Sequence, residues 1–353
     1  MLPQVDFWRG KRVLLTGHSG FKGGWLALWL RRLGAEVSGI ALPPATQPNL
    51  FTLARVAEDV PGTFCDIRDA SAVAALVRQA RPQIAFHLAA QPLVRASYAD
   101  PLATLATNVM GTAHVLDALR GLDGLRAVLV ATTDKVYRNA ESPRPYREDD
   151  PLGGHDPYSA SKAAAEIVAA SYRDAYLGAQ GVALATMRAG NVIGGGDWSG
   201  DRLLPDAVRA WQAGTALKIR RAGAVRPWQH VLEPLAGYLV LAQRLWQSPA
   251  LAGAYNFGPP SGEAATVREV VELARRAYGS GEVAFEAASG PHEAGWLALE
   301  IDRARKALGF APRWTLAEAV GRAMAWYRGA AAGADARELC AADIDAYEAA
   351  EVP

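Results

Sequence analysis

Val13-Leu14-Leu15 is a short apolar run of the kind found in strands buried on both faces, and Thr16 ends it. Gly17-His18-Ser19-Gly20-Phe21-Lys22-Gly23-Gly24 follows at once, and then Trp25 to Leu30 reads as a helix that stops before Gly34. Strand, glycine turn and helix in that order constrain the fold more than any other feature, because they open a parallel βαβ unit. The turn glycines stand at 17, 20 and 23. Gly17 suits the tight turn, Gly20 lets backbone approach a pyrophosphate, and Gly23 lets the helix pack close to the strand. The helix N-terminus presents N–H groups to phosphates, and Lys22 is available to add positive charge. His18, Ser19 and Phe21 occupy the same turn and complete the candidate dinucleotide contacts.

A second strand is predicted from Glu36 to Ala41. An NAD site commonly has an acid about 20 residues past the glycines for the ribose hydroxyls. Here Ala41-Leu42-Pro43-Pro44-Ala45-Thr46 has no acid, and no Arg for a 2′-phosphate. NAD is favoured over NADP, with Thr46 or backbone left to serve the ribose. Asp66 and Ile67 follow the next predicted strand, placed to bracket an adenine; capping the helix from Ser71 to Gln79 is the alternative use of Asp66. Gln83 to Leu88 is another apolar strand, and His87 is expected in the core. It leads to Ala89, Ala90 and Gln91, where a cofactor crosses the sheet. Asn108 lies on the following helix, near the cofactor or supporting backbone beside the active-site strand. Strands and helices alternate to Ala131, which predicts an α/β doubly wound parallel sheet of Rossmann-like form. Residues 1–188 are expected to form this domain, with 226–255 returning to it. Residues 189–225 and 256–353 are expected to form a smaller C-terminal α/β substrate domain.

The second constellation follows the predicted strand Ala127 to Ala131. Thr132, Thr133, Asp134 and Lys135 stand at its carboxyl end, where ligands bind in such sheets. Tyr158 and Lys162 are four apart and share one helical face. An ammonium beside a phenol lowers its pKa, and such a tyrosine takes a proton from a substrate hydroxyl. A surface Tyr/Lys pair gives the same spacing; the strand-end residues favour the chemical use.

The 37 basic and 36 acidic residues leave a net charge of +1, which argues against nucleic acid or a membrane surface as partner. Cys65 and Cys340 form neither a disulfide framework nor a metal-ligand spacing, so no metal is expected and a reducing cytoplasm is the default. The residues before Thr16 are too short an apolar run for a secretory signal, and no stretch has the length of a membrane span.

In the second half, Gly194-Gly195-Gly196 excludes regular structure and permits backbone to approach a ligand. Asn191 is placed to bond a diphosphate and Arg202 to pair with it. Arg226 sits in a basic turn with Arg220 and Arg221, which a solvated loop would also explain. The acidic, alanine-rich tail beyond Gly333 is expected to fray or to join a subunit contact.

TGHSGFKG, HLAAQ, TTDKVY, YSASK and RAGNVIGGGDW together resemble the extended short-chain dehydrogenase/reductase superfamily. Within it the chain is similar to the nucleotide-sugar 4,6-dehydratases, most of all the type acting on CDP-glucose, over roughly residues 8–328. The narrower likeness rests on His18, Lys22, Gln91, Thr133 to Lys135, Gly194 to Trp198, and Arg226 to His230. The resemblance implies a tightly held NAD and an internal redox cycle. Tyr158, with Lys162, would take the proton of the sugar 4-hydroxyl as C4 gives up hydride. Water would leave across C5 and C6, and hydride would return to C6. Thr133 would bond the 4-hydroxyl, and a protonated Asp134 would serve the departing 6-hydroxyl. Lys135 stands where related dTDP-glucose enzymes carry a glutamate base. Being an ammonium, it must lose its proton through burial or stabilise an enolate, unless it only pairs with Asp134. Gln91, Thr133, Asn191, Arg202 and Arg226 would meet the nucleotide sugar. His292, where relatives place an arginine, would contact substrate or merely pack. The resemblance further implies a homodimer or larger homo-oligomer and a role in deoxysugar or lipopolysaccharide biosynthesis. A 4-epimerase of the same fold and a non-catalytic NAD-sensing protein are the competing expectations.

Overall fold

In a computed structural model, which describes residues 1–141, 144–260, 262–287 and 294–352, the apolar run becomes β1, Arg12–Thr16. It belongs to a seven-stranded sheet with β2 (Glu36–Ala41), β3 (Gly62–Phe64), β4 (Ile84–His87), β5 (Ala127–Ala131), β6 (Ala183–Ala189) and the strand Gly253–Phe257. The order across the sheet is Gly253–Phe257, β6, β5, β4, β1, β2, β3, and every neighbouring pair is parallel. Chain order reverses at β1, which is flanked by β2 and β4, and this is where a doubly wound sheet opens a binding crevice.

The pleat explains why the three central residues of β1 are all apolar. Val13 and Leu15 join the core on one face, with Trp25 and Trp29 of the helix Phe21–Arg32. Leu14 joins the core on the other face, with Val73 and Val77 of the helix Ala70–Ala80. Each such burial contributes about 1.5–3 kcal/mol, so a charge at Leu14 would disrupt that second layer. Asp69, not Asp66, caps the Ala70–Ala80 helix, accepting from the Ala72 amide at 3.0 Å. His87 is buried between Thr16 and Thr112, with ring nitrogens 2.7 and 3.0 Å from their hydroxyls.

Three two-stranded ladders lie above the carboxyl edge: Val192–Ile193 with Gln229–His230, Val225–Arg226 with Ala265–Thr266, and Leu217–Ile219 with Val283–Phe285. The tail departs from the sequence expectation. Ala336–Ala349 is a helix whose Cys340, Ile344 and Tyr347 are buried in the chain's own core. The Tyr347 hydroxyl donates to Glu233 at 2.7 Å, and Trp29 Nε1 donates to Glu348 at 2.9 Å. Among the described residues no helix is long and apolar enough to cross a membrane.

Candidate active site

The carboxyl ends of these strands border a cleft of about 670 Å³. Its floor is the glycine turn. Gly17 has φ +82°, and a Cβ there would lie 2.7 Å from the Ala89 amide nitrogen. A Cβ on Gly23 would lie 2.0 Å from the Gly17 carbonyl oxygen. Side chains are therefore excluded at both positions, leaving backbone facing the cleft. Ser19 fixes the turn to the end of β2, its hydroxyl donating to the Leu42 carbonyl at 2.7 Å.

Most of the expected residues converge here. Gly17, Ser19, Gly20, Phe21, Lys22, Gly23, Asp66, Ile67, Ala89, Ala90 and Thr132 line the cleft. So do Thr133, Asp134, Lys135, Tyr158, Lys162, Asn191, Arg202 and Arg226. Asp66 is held by Arg68, whose Nε and Nη2 donate at 2.9 and 2.6 Å.

Three do not line it. His18 turns beneath β2 and β3, where a Cβ on Gly39 or Gly62 would lie within 2.5 Å of its ring, and it meets the edge of Phe51 at 5.5 Å. Its ring packs at the sheet edge. Gln91 spends its side chain on the Thr104 hydroxyl of the helix Pro101–Leu105, donating at 2.9 Å, and on the Leu93 amide, accepting at 2.6 Å. Asn108 is buried in the π-helical turn Ala106–Met110. It bonds both the amide and the carbonyl of Gln91, at 2.8 and 3.0 Å, and the Ser161 hydroxyl at 2.9 Å. It ties the Gln91 loop to the tyrosine helix with three of the four hydrogen bonds its side chain can make. His292 lies outside the described residues. The three glycines at 194–196 also serve packing: a Cβ on Gly195 would lie 2.0 Å from the Trp326 ring, and one on Gly196 2.6 Å from Leu50.

The tyrosine and lysine come from the helix Pro157–Tyr172, which starts cleanly because Asp156 accepts from the Ser159 amide at 2.9 Å and Pro157 fills its first turn. Lys162 Nζ donates to the Ala131 carbonyl at 3.0 Å, at the end of β5. Burial, then the neighbouring Lys22, lowers its pKa to about 8, against a pull upward from Glu166. Lys22 is lowered to about 8 as well, by burial and Arg202, with Asp134 opposing. Its amine lies 5.9 Å from the Tyr238 ring centroid. Its charge is felt by Lys162, whose pKa it helps to lower.

The expected acidic phenol is not what the protein alone produces. Burial raises the Tyr158 pKa, while Arg202 and a hydrogen bond with Thr133 draw it down and Asp134 and Asp156 oppose them. Burial is the largest effect, and Arg202 rather than Lys162 is the leading cation acting on the phenol. Asp134 accepts from the Thr133 hydroxyl at 2.9 Å through Oδ1, with Lys135 Nζ 3.9 Å from that oxygen. Its Oδ2, and Oδ1 of Asn191, are buried at the cleft without a protein partner among the described residues. Orphaned acceptors in a cleft are the mark of a place where polar ligand groups complete the bonding.

Arg202 reaches across the opening to the Pro92 carbonyl at 3.0 Å, and Arg226 is buried with its guanidinium on the Val225 and Ala294 carbonyls. Arg220 and Arg221, which sequence alone leaves in a solvated turn, also border the cleft. Glu166, one turn past Lys162, escaped the sequence reading; its signal was a charged residue on the apolar face of that helix, matched by Arg188 in the apolar run of β6.

The sequence matches the family described as "NAD dependent epimerase/dehydratase family" over residues 13–258. It is 44% identical to a CDP-glucose 4,6-dehydratase of Salmonella typhimurium, over 98% of each chain. It is 31% identical to a dTDP-glucose 4,6-dehydratase of Streptomyces antibioticus, over 90% of this chain and 92% of the other. Among solved structures, a UDP-glucose 4-epimerase of Thermus thermophilus in complex with NAD superposes with a TM-score of 0.80 at 27% identity, covering 90% of this chain and 99% of that one. A dTDP-glucose 4,6-dehydratase of Streptomyces venezuelae, with NAD and TYD bound, gives 0.78 at 25% identity, covering 92% and 99%. The glycine-floored cleft at the sheet's switch point and these matches across the chain lead to one conclusion: the chain belongs to the NAD dependent epimerase/dehydratase family.

Proposed function

We propose that this chain is an NAD-using nucleotide-sugar 4,6-dehydratase that converts CDP-glucose to CDP-4-dehydro-6-deoxyglucose and water. The observation that carries this reading is the convergence of Thr133 and Asp134 with Tyr158 and Lys162 in one cleft. A 4-epimerase needs the tyrosine but has no use for an acid that serves a departing hydroxyl. The 44% identity with the Salmonella enzyme, which extends over nearly all of both chains, supports cytidine as the base.

The dinucleotide fits the residues present. The bare backbone of Gly17 to Gly23 and the N-terminus of the Phe21–Arg32 helix would hold its pyrophosphate, and Asp66 and Ile67 its adenosine end. When bound, it supplies the acceptor and donor of hydride. The protein's own groups handle the protons. Tyr158 Oη, as phenolate, takes the proton of the sugar 4-hydroxyl, and Thr133 orients that hydroxyl. Arg202 and Lys162 offset the cost of placing this negative charge in a buried site. Asp134 Oδ2, which has no protein partner among the described residues, gives a proton to the departing 6-hydroxyl. Lys135 lies on the same wall, where its neutral amine takes the C5 proton and, as the ammonium so formed, stabilises the enolate; that proton then returns to Asp134, whose Oδ1 is 3.9 Å away. Asn191, Arg202 and Arg226 would hold the nucleotide diphosphate.

Leu102, Met110 and Ile167 are exposed apolar residues on or beside the helices flanking the tyrosine, which supports a homodimer through that face; a monomer in sedimentation would contradict it. Two free cysteines fit a reducing cytoplasm, and the proposed product is a precursor of deoxysugars for a surface polysaccharide. The test is a panel of CDP-, dTDP-, GDP- and UDP-sugars followed by mass spectrometry. Loss of one water from CDP-glucose in preference to the others supports the reading. A product of unchanged mass indicates epimerisation, and nucleotide binding without turnover on any sugar indicates a sensor.

A further inference from the structure

We propose that the buried Glu166–Arg188 pair is the positioning device of this active site, holding the strand end and the tyrosine helix at their working separation. The proposal rests on the reading that Thr133, Tyr158 and Lys162 carry the proton chemistry. Neither Glu166 nor Arg188 borders the catalytic cleft, so neither touches substrate or cofactor.

One carboxylate gathers four bonds. Oε1 of Glu166 accepts from the Thr132 hydroxyl and from Arg188 Nε at 3.0 Å. Oε2 accepts from the Thr186 hydroxyl at 2.7 Å and from Arg188 Nη2 at 2.8 Å. Arg188 then reaches the far side: Nη1 donates to the Tyr137 hydroxyl at 2.9 Å and to the Glu148 carbonyl at 3.0 Å. The Tyr137 hydroxyl donates onward to Asn256 Oδ1 at 2.6 Å.

These ties join the segments that carry reacting groups to strands that carry none. Glu166 stands one helical turn beyond Lys162 and two beyond Tyr158. Thr132 immediately precedes Thr133, and the carbonyl of Ala131 before it receives the Lys162 amine. Tyr137 closes the 3-10 turn Asp134–Val136. Thr186 and Arg188 belong to β6, and Asn256 to the strand beyond it. The pair therefore registers the helix, the β5 end and the Asp134 turn against a rigid part of the sheet. A buried ion pair is by itself weak evidence for stability, because desolvation offsets much of its attraction. Its consequence here is directional: it specifies where Tyr158 lies relative to Thr133. A displacement near 1 Å can cost about 100-fold in rate.

The test separates placement from stability. Glu166→Gln/Arg188→Met removes both charges together and leaves no buried ion unpaired. We expect a folded protein that still binds dinucleotide, with KM for the nucleotide sugar within about twofold and kcat lower by about 10- to 100-fold. A kcat within about threefold of the wild type would overturn the proposal. Thr132→Val cuts the tie to the strand end, along with the 3.4 Å bond from the same hydroxyl to the Met187 carbonyl, and carries the test should the double variant fail to fold, dinucleotide affinity being measured beside kcat because Thr132 lines the cleft. It is expected to lower kcat by about three- to tenfold at an unchanged melting temperature, and unchanged kcat would overturn the proposal. A wild-type protein with no turnover on any sugar nucleotide refutes the dehydratase reading instead. In that event a crystal structure of a variant still decides: the Tyr158-to-Thr133 hydroxyl separation must lengthen, and an unaltered separation refutes the positioning role.

Discussion

Replacing Lys162 by methionine is expected to stabilise the protein while abolishing its turnover. The amine is buried and its pKa is lowered from 10.5 to about 8. Each pKa unit corresponds to about 1.4 kcal/mol, so the folded state carries the ammonium at a cost of ~3 kcal/mol. The hydrogen bond from Nζ to the Ala131 carbonyl, 3.0 Å long, works the other way by roughly 1 kcal/mol. The net gain for Lys162→Met at pH 7 is therefore about 2 kcal/mol. The sign with pH follows from the lowered value. The penalty is present in full below the folded pKa of about 8, shrinks as pH rises, and is gone above the unfolded value of 10.5. At pH 10 the ~3 kcal/mol electrostatic cost falls to about 1 kcal/mol. Urea unfolding of both proteins, freed of bound nucleotide, reads this directly. A variant less stable than wild type at pH 7, or a stability gap that does not narrow by pH 10, would refute the idea that this lysine is held against its own desolvation.

Tyr158→Phe is expected to lower kcat by about 10²- to 10⁴-fold with the fold intact, checked by steady-state kinetics and circular dichroism. Lys22→Met removes a charge that helps to lower the Lys162 pKa, so the alkaline limb of the pH–rate profile should move to higher pH; an unmoved limb would show that Lys22 does not act on the centre. Gly23→Ala places a Cβ 2.0 Å from the Gly17 carbonyl oxygen, so dinucleotide binding by calorimetry should weaken at least tenfold (about 1.4 kcal/mol) while urea unfolding still shows a cooperative transition.

The sheet was legible because buried parallel strands write themselves as apolar runs: Val13 to Leu15 and Ala127 to Ala131 have no other use for such sequences. The glycine turn was legible because backbone must approach backbone at Gly17 and Gly23. Side-chain direction inside loops was not. His18, Gln91 and Asn108 stand in segments that touch the cleft, yet each side chain faces away because a bonding or packing partner lies behind it. Periodicity cannot report which side of an irregular segment a side chain takes. The tail helix did carry a signal in Cys340, Ile344 and Tyr347, spaced four and three apart on one face, but the acidic and alanine-rich residues around them obscured it. Glycines 194–196 read as a ligand loop, and two of them prove to make room for Trp326 and Leu50. The phenol's acidity depended on burial, which spacing does not encode.

The most direct test of the account uses CDP-glucose bearing deuterium at C4, incubated with the purified protein and no added reductant. The account predicts a product lighter by one water, with the deuterium recovered at C6 and a solvent-derived hydrogen at C5. A product of unchanged mass, or a dehydrated product whose label has been lost to solvent, would contradict it.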